Sequence, residues 1–96
     1  MTLHELVGLN RSRILRLAAQ HGAGHVRVFG SLARGEAGPE SDLDLLITLD
    51  PERSLLDLIA LQQSLEDLLG RKVDVVTEAS VSPHIRPQLL RDAVAL

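Results

Sequence analysis

A glycine-serine pair and, eleven residues on, two aspartates spaced i, i+2 constrain this chain more than any other feature. The stretch reads Phe29-Gly30-Ser31-Leu32-Ala33-Arg34-Gly35-Glu36-Ala37-Gly38-Pro39-Glu40-Ser41-Asp42-Leu43-Asp44-Leu45 and runs on through Leu-Ile-Thr-Leu to Leu49. In an extended strand, side chains at i and i+2 share a face, roughly 6 to 7 Å apart. Asp42 and Asp44 therefore stand side by side on an otherwise apolar strand, where two carboxylates repel unless a positive charge lies between them. A divalent cation is the economical reason for the pair. Hard carboxylate oxygens suit Mg2+, with Mn2+ as a second possibility, and Mg2+ tends to share its remaining positions with water and substrate phosphates.

Phosphates need a cradle of their own, and Gly30-Ser31 can supply it. Glycine lets the backbone come close and adopts dihedrals that other residues avoid. If Ser31 opens a short helix over Ser31 to Gly35, its N–H and hydroxyl join the helix terminus in facing an anion. A further carboxylate is expected from a neighbouring strand. Lys72-Val73-Asp74-Val75-Val76-Thr77 is β-branched with one aspartate inside it, which is costly to bury unless paired or metal-bound. With strands about 4.8 Å apart, Asp74 can reach an ion held by Asp42 and Asp44. Three carboxylates on one sheet face suit two-metal phosphoryl chemistry. Asp74 has a plainer reading as an exposed strand residue paired with Arg71 or Lys72. Arg34 either contacts the triphosphate or locks its loop onto Glu36, Glu40 or a motif aspartate. Ser41 either turns the loop ahead of Asp42 or touches the nucleotide.

Taken together, Phe29-Gly30-Ser31, Ala33-Arg34-Gly35 and Ser41-Asp42-Leu43-Asp44-Leu45 resemble the signature of the nucleotidyltransferase superfamily, in particular its minimal branch. Asp74 corresponds to the family's third acidic residue. The resemblance implies the nucleotidyltransferase fold, an α/β (α+β) arrangement with a small mixed sheet flanked by helices, as one domain over residues 1–96. It implies Mg2+ at Asp42, Asp44 and Asp74, ATP as substrate, and phosphate contacts from Gly30, Ser31, Arg34 and Ser41. Members of the minimal branch are antitoxins that transfer AMP from ATP to a tyrosine of a small helical HEPN-domain toxin, a ribonuclease. A hetero-oligomer with such a toxin is therefore implied. Two other readings stand beside it: an antitoxin acting by stoichiometric binding, and a nucleotidyltransferase acting on a small molecule.

Charge and composition narrow the field further. Ten Lys plus Arg against thirteen Asp plus Glu, with one aromatic residue, give no basic face or stacking platform for polymeric nucleic acid. There is no cysteine, hence no disulfide or thiolate metal site. The N-terminal residues lack the pattern of a signal peptide and no apolar run is long enough to span a bilayer, so a cytoplasmic location is expected. The four histidines, His4, His21, His25 and His84, have no metal-ligand spacing, and Arg11, Arg13 and Arg16 read as a solvated helix face.

The elements follow from caps and breakers. Thr2 and Glu5 can form a capping box for a first helix carrying Leu3, Leu6, Val7, Ile14, Leu17 and Ala18, weakened at Gly8 and Asn10. His21 to Gly24 ends it, and strands are expected over His25 to Phe29, Asp42 to Leu49 and Lys72 to Thr77. Gly38-Pro39 marks a break before the second strand. Asp50-Pro51-Glu52 and Ser54 open a helix carrying Leu55, Leu58, Ile59, Gln62, Leu65, Leu68 and Leu69, closed by Gly70. Ser82-Pro83 can start a last helix through Leu90, while Ala93 to Leu96 fits either a final turn or an edge strand.

Overall fold

A computed structural model of the chain describes residues 2–38 and 40–96. Pro39, half of the expected Gly38-Pro39 break, lies outside them. The elements run α1 (Leu3–Leu9), α2 (Arg11–Gln20), β1 (Ala23–Phe29), β2 (Leu43–Leu49), α3 (Leu55–Leu69), β3 (Val73–Thr77), a 3-10 turn (Glu78–Ser80), α4 (Arg86–Asp92) and β4 (Val94–Ala95). The four strands form a mixed sheet in the order β3-β2-β1-β4, with β2 and β3 parallel and the other neighbours antiparallel.

The expected first helix is two helices. The Asn10 side chain donates to the Leu6 carbonyl at 2.9 Å, and its own backbone leaves helical geometry, so the chain breaks there. Thr2 caps α1 by accepting from the Glu5 N–H at 3.1 Å, and Glu5 reaches back to the Thr2 hydroxyl. Strand β1 starts two residues earlier than expected, because Ala23 and Gly24 pair with Leu49 and Thr48. Its ladder then slips between Gly24 and Arg27, a bulge at which His25 takes φ 48°. Strands β2 and β3 each start one residue later than expected.

Helix α3 starts at the expected Ser54, which forms a capping box with Asp57 at the third position: Ser54 Oγ accepts from the Leu56 N–H at 3.3 Å, and Asp57 accepts from the Ser54 N–H at 3.0 Å. Gly70 closes it in the left-handed region at φ 65°. Its buried stripe, however, is Leu61, Leu65 and Leu69, while Leu55 and Ile59 stay exposed. Apolar residues surround the helix, so periodicity alone does not choose its inner face. The last helix begins at Arg86 rather than Ser82; Pro87 then sits in the first turn, where its missing N–H needs no partner. The end of the chain is an edge strand, β4.

Strand alternation divides the sheet into two unlike faces. Leu43, Leu45 and Ile47 of β2 join Val73 and Val75, Val26 and Val28, and the buried residues of α1, α2 and α3 in one core. Each fully buried Leu or Ile contributes about 1.5–3 kcal/mol there. The opposite face carries Phe29, Asp44 and Asp74 in one row across three strands, then Arg27 and Leu46 in the next. Arg27 is buried, yet it reaches Glu78 at 2.9 Å, so the segment after β3 passes over this face and covers part of it. Asp44 and Asp74 lie only partly buried at the other end.

Candidate active site

Register brings the carboxylates together. β2 and β3 pair in parallel with Asp44 directly opposite Asp74, and Asp42 stands two residues before Asp44, just ahead of the strand. Burial first, and then the charges of Asp74 and Asp42, raise the Asp44 carboxyl above its usual range; Arg34 and Lys72 pull it the other way. The net effect is upward, led by burial and added to by the two neighbouring carboxylates.

Gly30 is fixed by this carboxylate. It adopts φ +73°, and a Cβ built there would lie 3.1 Å from Asp44 Cγ and closer still to Oδ2. Any side chain at this position would displace the Asp44 carboxylate, and the left-handed backbone would be strained besides. The segment that follows is a set of hydrogen-bonded turns rather than the expected short helix. Arg34 N–H donates to Gly30 O at 3.2 Å, Gly35 N–H to Leu32 O at 3.1 Å and Glu36 N–H to Ser31 O at 2.8 Å. Mixed turn lengths do not align the peptide dipoles, so a helix terminus contributes nothing here. The Ser31 N–H takes part in none of these bonds.

Arg34 and Ser41 each have a hydrogen-bond partner within their own loop. Arg34 Nε donates to Glu36 at 3.2 Å with both side chains exposed, although its charge still acts on Asp44. Ser41 Oγ accepts from the Gly38 N–H at 2.8 Å, and its carbonyl accepts from Arg71 Nη2 at 2.8 Å, which ties the loop to the start of β3. Lys72 turns to Asp42, its Nζ 3.8 Å from Oδ2. It is a residue of the site that sequence position alone assigns only as a neighbour of Asp74. The usable signal was the i, i+2 spacing of Lys72 and Asp74, which places both on the aspartate face.

Among the described residues no three carboxylate or imidazole groups converge on one point as a closed metal cage. The donor set nevertheless suits Mg2+, which is bound by one or two carboxylates plus water and phosphate rather than by an all-protein cage. The charges of Asp74 and Asp42 beside Asp44 give a divalent cation a favourable place here.

The fold is that of a nucleotidyltransferase. A family model described as the nucleotidyltransferase domain matches residues 12–96, and the chain belongs to that family. Within it, the chain is 37% identical over 94 residues to the protein adenylyltransferase MntA of Thermococcus cleftensis, covering 98% of this chain and 95% of the relative. A solved structure described as a candidate minimal nucleotidyltransferase is 50% identical and superposes with a TM-score of 0.89, covering 100% of this chain and 97% of that one. Two toxin–antitoxin structures share the fold at lower identity. One, crystallised with AMP-PNP, is 23% identical with a TM-score of 0.76, over 90% of this chain and 71% of its own. The other, a tri-AMPylated Shewanella oneidensis HEPN toxin in complex with MNT antitoxin, is 21% identical with a TM-score of 0.70, over 92% of this chain and 69% of its own. No helix among the described residues is long and apolar enough to cross a membrane.

Proposed function

We propose that this chain, acting as one domain, is a Mg2+-dependent protein adenylyltransferase that transfers AMP from ATP to a hydroxyl of a HEPN-type toxin and so serves as its antitoxin. The observation that carries this reading is the opposed pair Asp44 and Asp74, with Asp42 beside them and Gly30 packed under the Asp44 carboxylate. A pure binding protein has no need to gather carboxylates at the cost of raising the Asp44 pKa. The likeness to an adenylyltransferase along nearly the full length of both chains supports the same reaction.

Asp42 and Asp44 would hold the cation, with Asp74 either sharing it or acting as a base. When bound, Mg2+ supplies charge neutralisation for the phosphates and lowers the pKa of the attacking hydroxyl. The turn at Gly30 and Ser31 lets the triphosphate approach the backbone, with the Ser31 N–H and hydroxyl as its donors. Asp74, opposite Asp44 on the neighbouring strand, can take the hydroxyl proton. Positioning and electrostatics of this kind account for most phosphoryl-transfer catalysis, which is why so small a scaffold suffices.

The test is intact mass spectrometry of the HEPN-type partner after incubation with Mg-ATP and either the wild-type chain or the Asp42→Asn/Asp44→Asn variant. One or more added AMP groups, seen with wild type alone, are expected. A partner that binds both forms equally and never changes mass would replace this reading with stoichiometric inhibition.

A further inference from the structure

We propose that Lys72 is the residue that grips the β- and γ-phosphates of the nucleotide, the part that departs as pyrophosphate. The proposal rests on the nucleotidyltransferase reading of the site and assigns a role to a side chain that the signature motif does not include.

Three observations carry it. First, the Leu43 N–H donates to the Lys72 carbonyl at 3.1 Å, one step before the paired residues Leu43 and Val73. Lys72 thus opposes Asp42 as Asp74 opposes Asp44, on the same sheet face and one row before the Asp44–Asp74 pair. Second, its contact with Asp42 is loose. The distance is 3.8 Å, and the two side chains are 66% and 43% exposed, a geometry that adds little to stability and leaves the ammonium free to turn. Third, Lys72 and Asp42 line the same open cleft of about 340 Å³, with Glu40, Ser41, Gly70 and Arg71. That cleft is polar and includes one of the three carboxylates, Asp42. Arg34, the other cation acting on Asp44, pairs with Glu36 at 3.2 Å on the surface.

A flexible ammonium suits this duty, since lysine acts on phosphate as a mobile point charge with three donors. In the transfer, the acceptor oxygen bonds to the α-phosphorus and the bond from that phosphorus to the bridging oxygen breaks. The electron pair stays on pyrophosphate, and the hydroxyl proton passes to Asp74 or to water. Lys72 donates hydrogen bonds to the oxygens on which that charge collects.

The experiment uses the full chain and two binding titrations: AMP-PNP at saturating Mg2+, and Mn2+ alone without nucleotide. Lys72→Gln is expected to weaken AMP-PNP binding about tenfold, the loss of one charge-assisted contact. Lys72→Arg is expected to retain most of the affinity. Mn2+ binding to Lys72→Gln is expected to equal or exceed that of wild type, because a competing cation has gone. A lysine that merely positions Asp42 would instead lose Mn2+ and AMP-PNP affinity together, and that result overturns the proposal. So does AMP-PNP affinity within twofold of wild type in Lys72→Gln, or Lys72→Arg as weak as Lys72→Gln. Wild type that binds no AMP-PNP at all removes the nucleotidyltransferase reading itself, a failure distinct from the others.

Discussion

Asp44 is held where a carboxylate is least comfortable. Burial, Asp74 and Asp42 all raise its pKa, and it occupies the space that a side chain at Gly30 would fill. A carboxyl whose pKa rises on folding binds its proton more tightly in the folded chain. Its contribution to stability is therefore fully present below the ordinary value of 3.8 and is lost as pH climbs through the raised folded value. Without metal, the protein should be less stable at pH 7 than in the window near 4 as far as this group is concerned. Asp44→Asn keeps the shape and removes the charge. In EDTA at pH 7 it should melt higher than wild type, by roughly a few degrees for a domain of this size, while losing transferase activity. The gain should shrink at pH 4. Calorimetry of both proteins at the two pH values decides it, and a variant that melts lower at pH 7 would mean the carboxylate is not strained. At this scale the sequence was informative, since Asp42, Asp44 and Asp74 stand out as charges in apolar strands. Lys72 was harder to read, because its opposition to Asp42 depends on the pairing of strands thirty residues apart.

Helix α3 does more than cover the core. While Leu61, Leu65 and Leu69 face inward, Gln62 accepts from the Val75 N–H at 3.1 Å and Glu66 from the Val73 N–H at 3.0 Å. Val73 and Val75 belong to β3, the outer strand of the sheet, and these N–H groups would otherwise be open to another chain. The same edge carries Asp74, so the helix that seals it also keeps the catalytic strand from pairing elsewhere. Replacing both residues, Gln62→Ala/Glu66→Ala, should cost about 2 kcal/mol in urea unfolding, about 1 kcal/mol for each hydrogen bond removed. It should also bring concentration-dependent association, seen by sedimentation. A double variant that stays monomeric at full stability would show that the edge needs no such cover. Start and stop signals made α3 legible in outline through Ser54 and Gly70, whereas its Asp57 partner in the cap and its inner face were not read. The other misread boundaries have local causes too. Asn10 takes the Leu6 carbonyl and splits the first helix, and the residues after Ser31 close turns of unequal length instead of a regular helix. In both places hydrogen bonds between near neighbours, Asn10 to Leu6 and the turns after Ser31, set the local geometry.

On the scale of the whole molecule, one sheet face is occupied by the core and the other is given partly to unbalanced charge. A domain of 96 residues has little stability in reserve, of the order of 5–15 kcal/mol, and its catalytic face works against it while the carboxylates lack a cation. Binding of Mg2+ and nucleotide should therefore be visible as folding stability. A ligand that binds only the folded chain stabilises it by about 2.7 kcal/mol at one hundred times its dissociation constant. For a chain of this length that is a rise in melting temperature on the order of 10 °C. Mg2+ with AMP-PNP should produce a shift of this size in the wild type. AMP-PNP with EDTA should produce much less, because the phosphates would meet Asp42, Asp44 and Asp74 with no intervening positive charge beyond Lys72 and Arg34. The Asp42→Asn/Asp44→Asn variant should start from a higher melting temperature, with that repulsion relieved, and respond weakly to Mg2+ with AMP-PNP. The two effects have opposite signs and one origin, the cost of gathering carboxylates on a small sheet. A double variant that starts no higher than wild type yet gains as much from Mg2+ and AMP-PNP would move the nucleotide site away from β2.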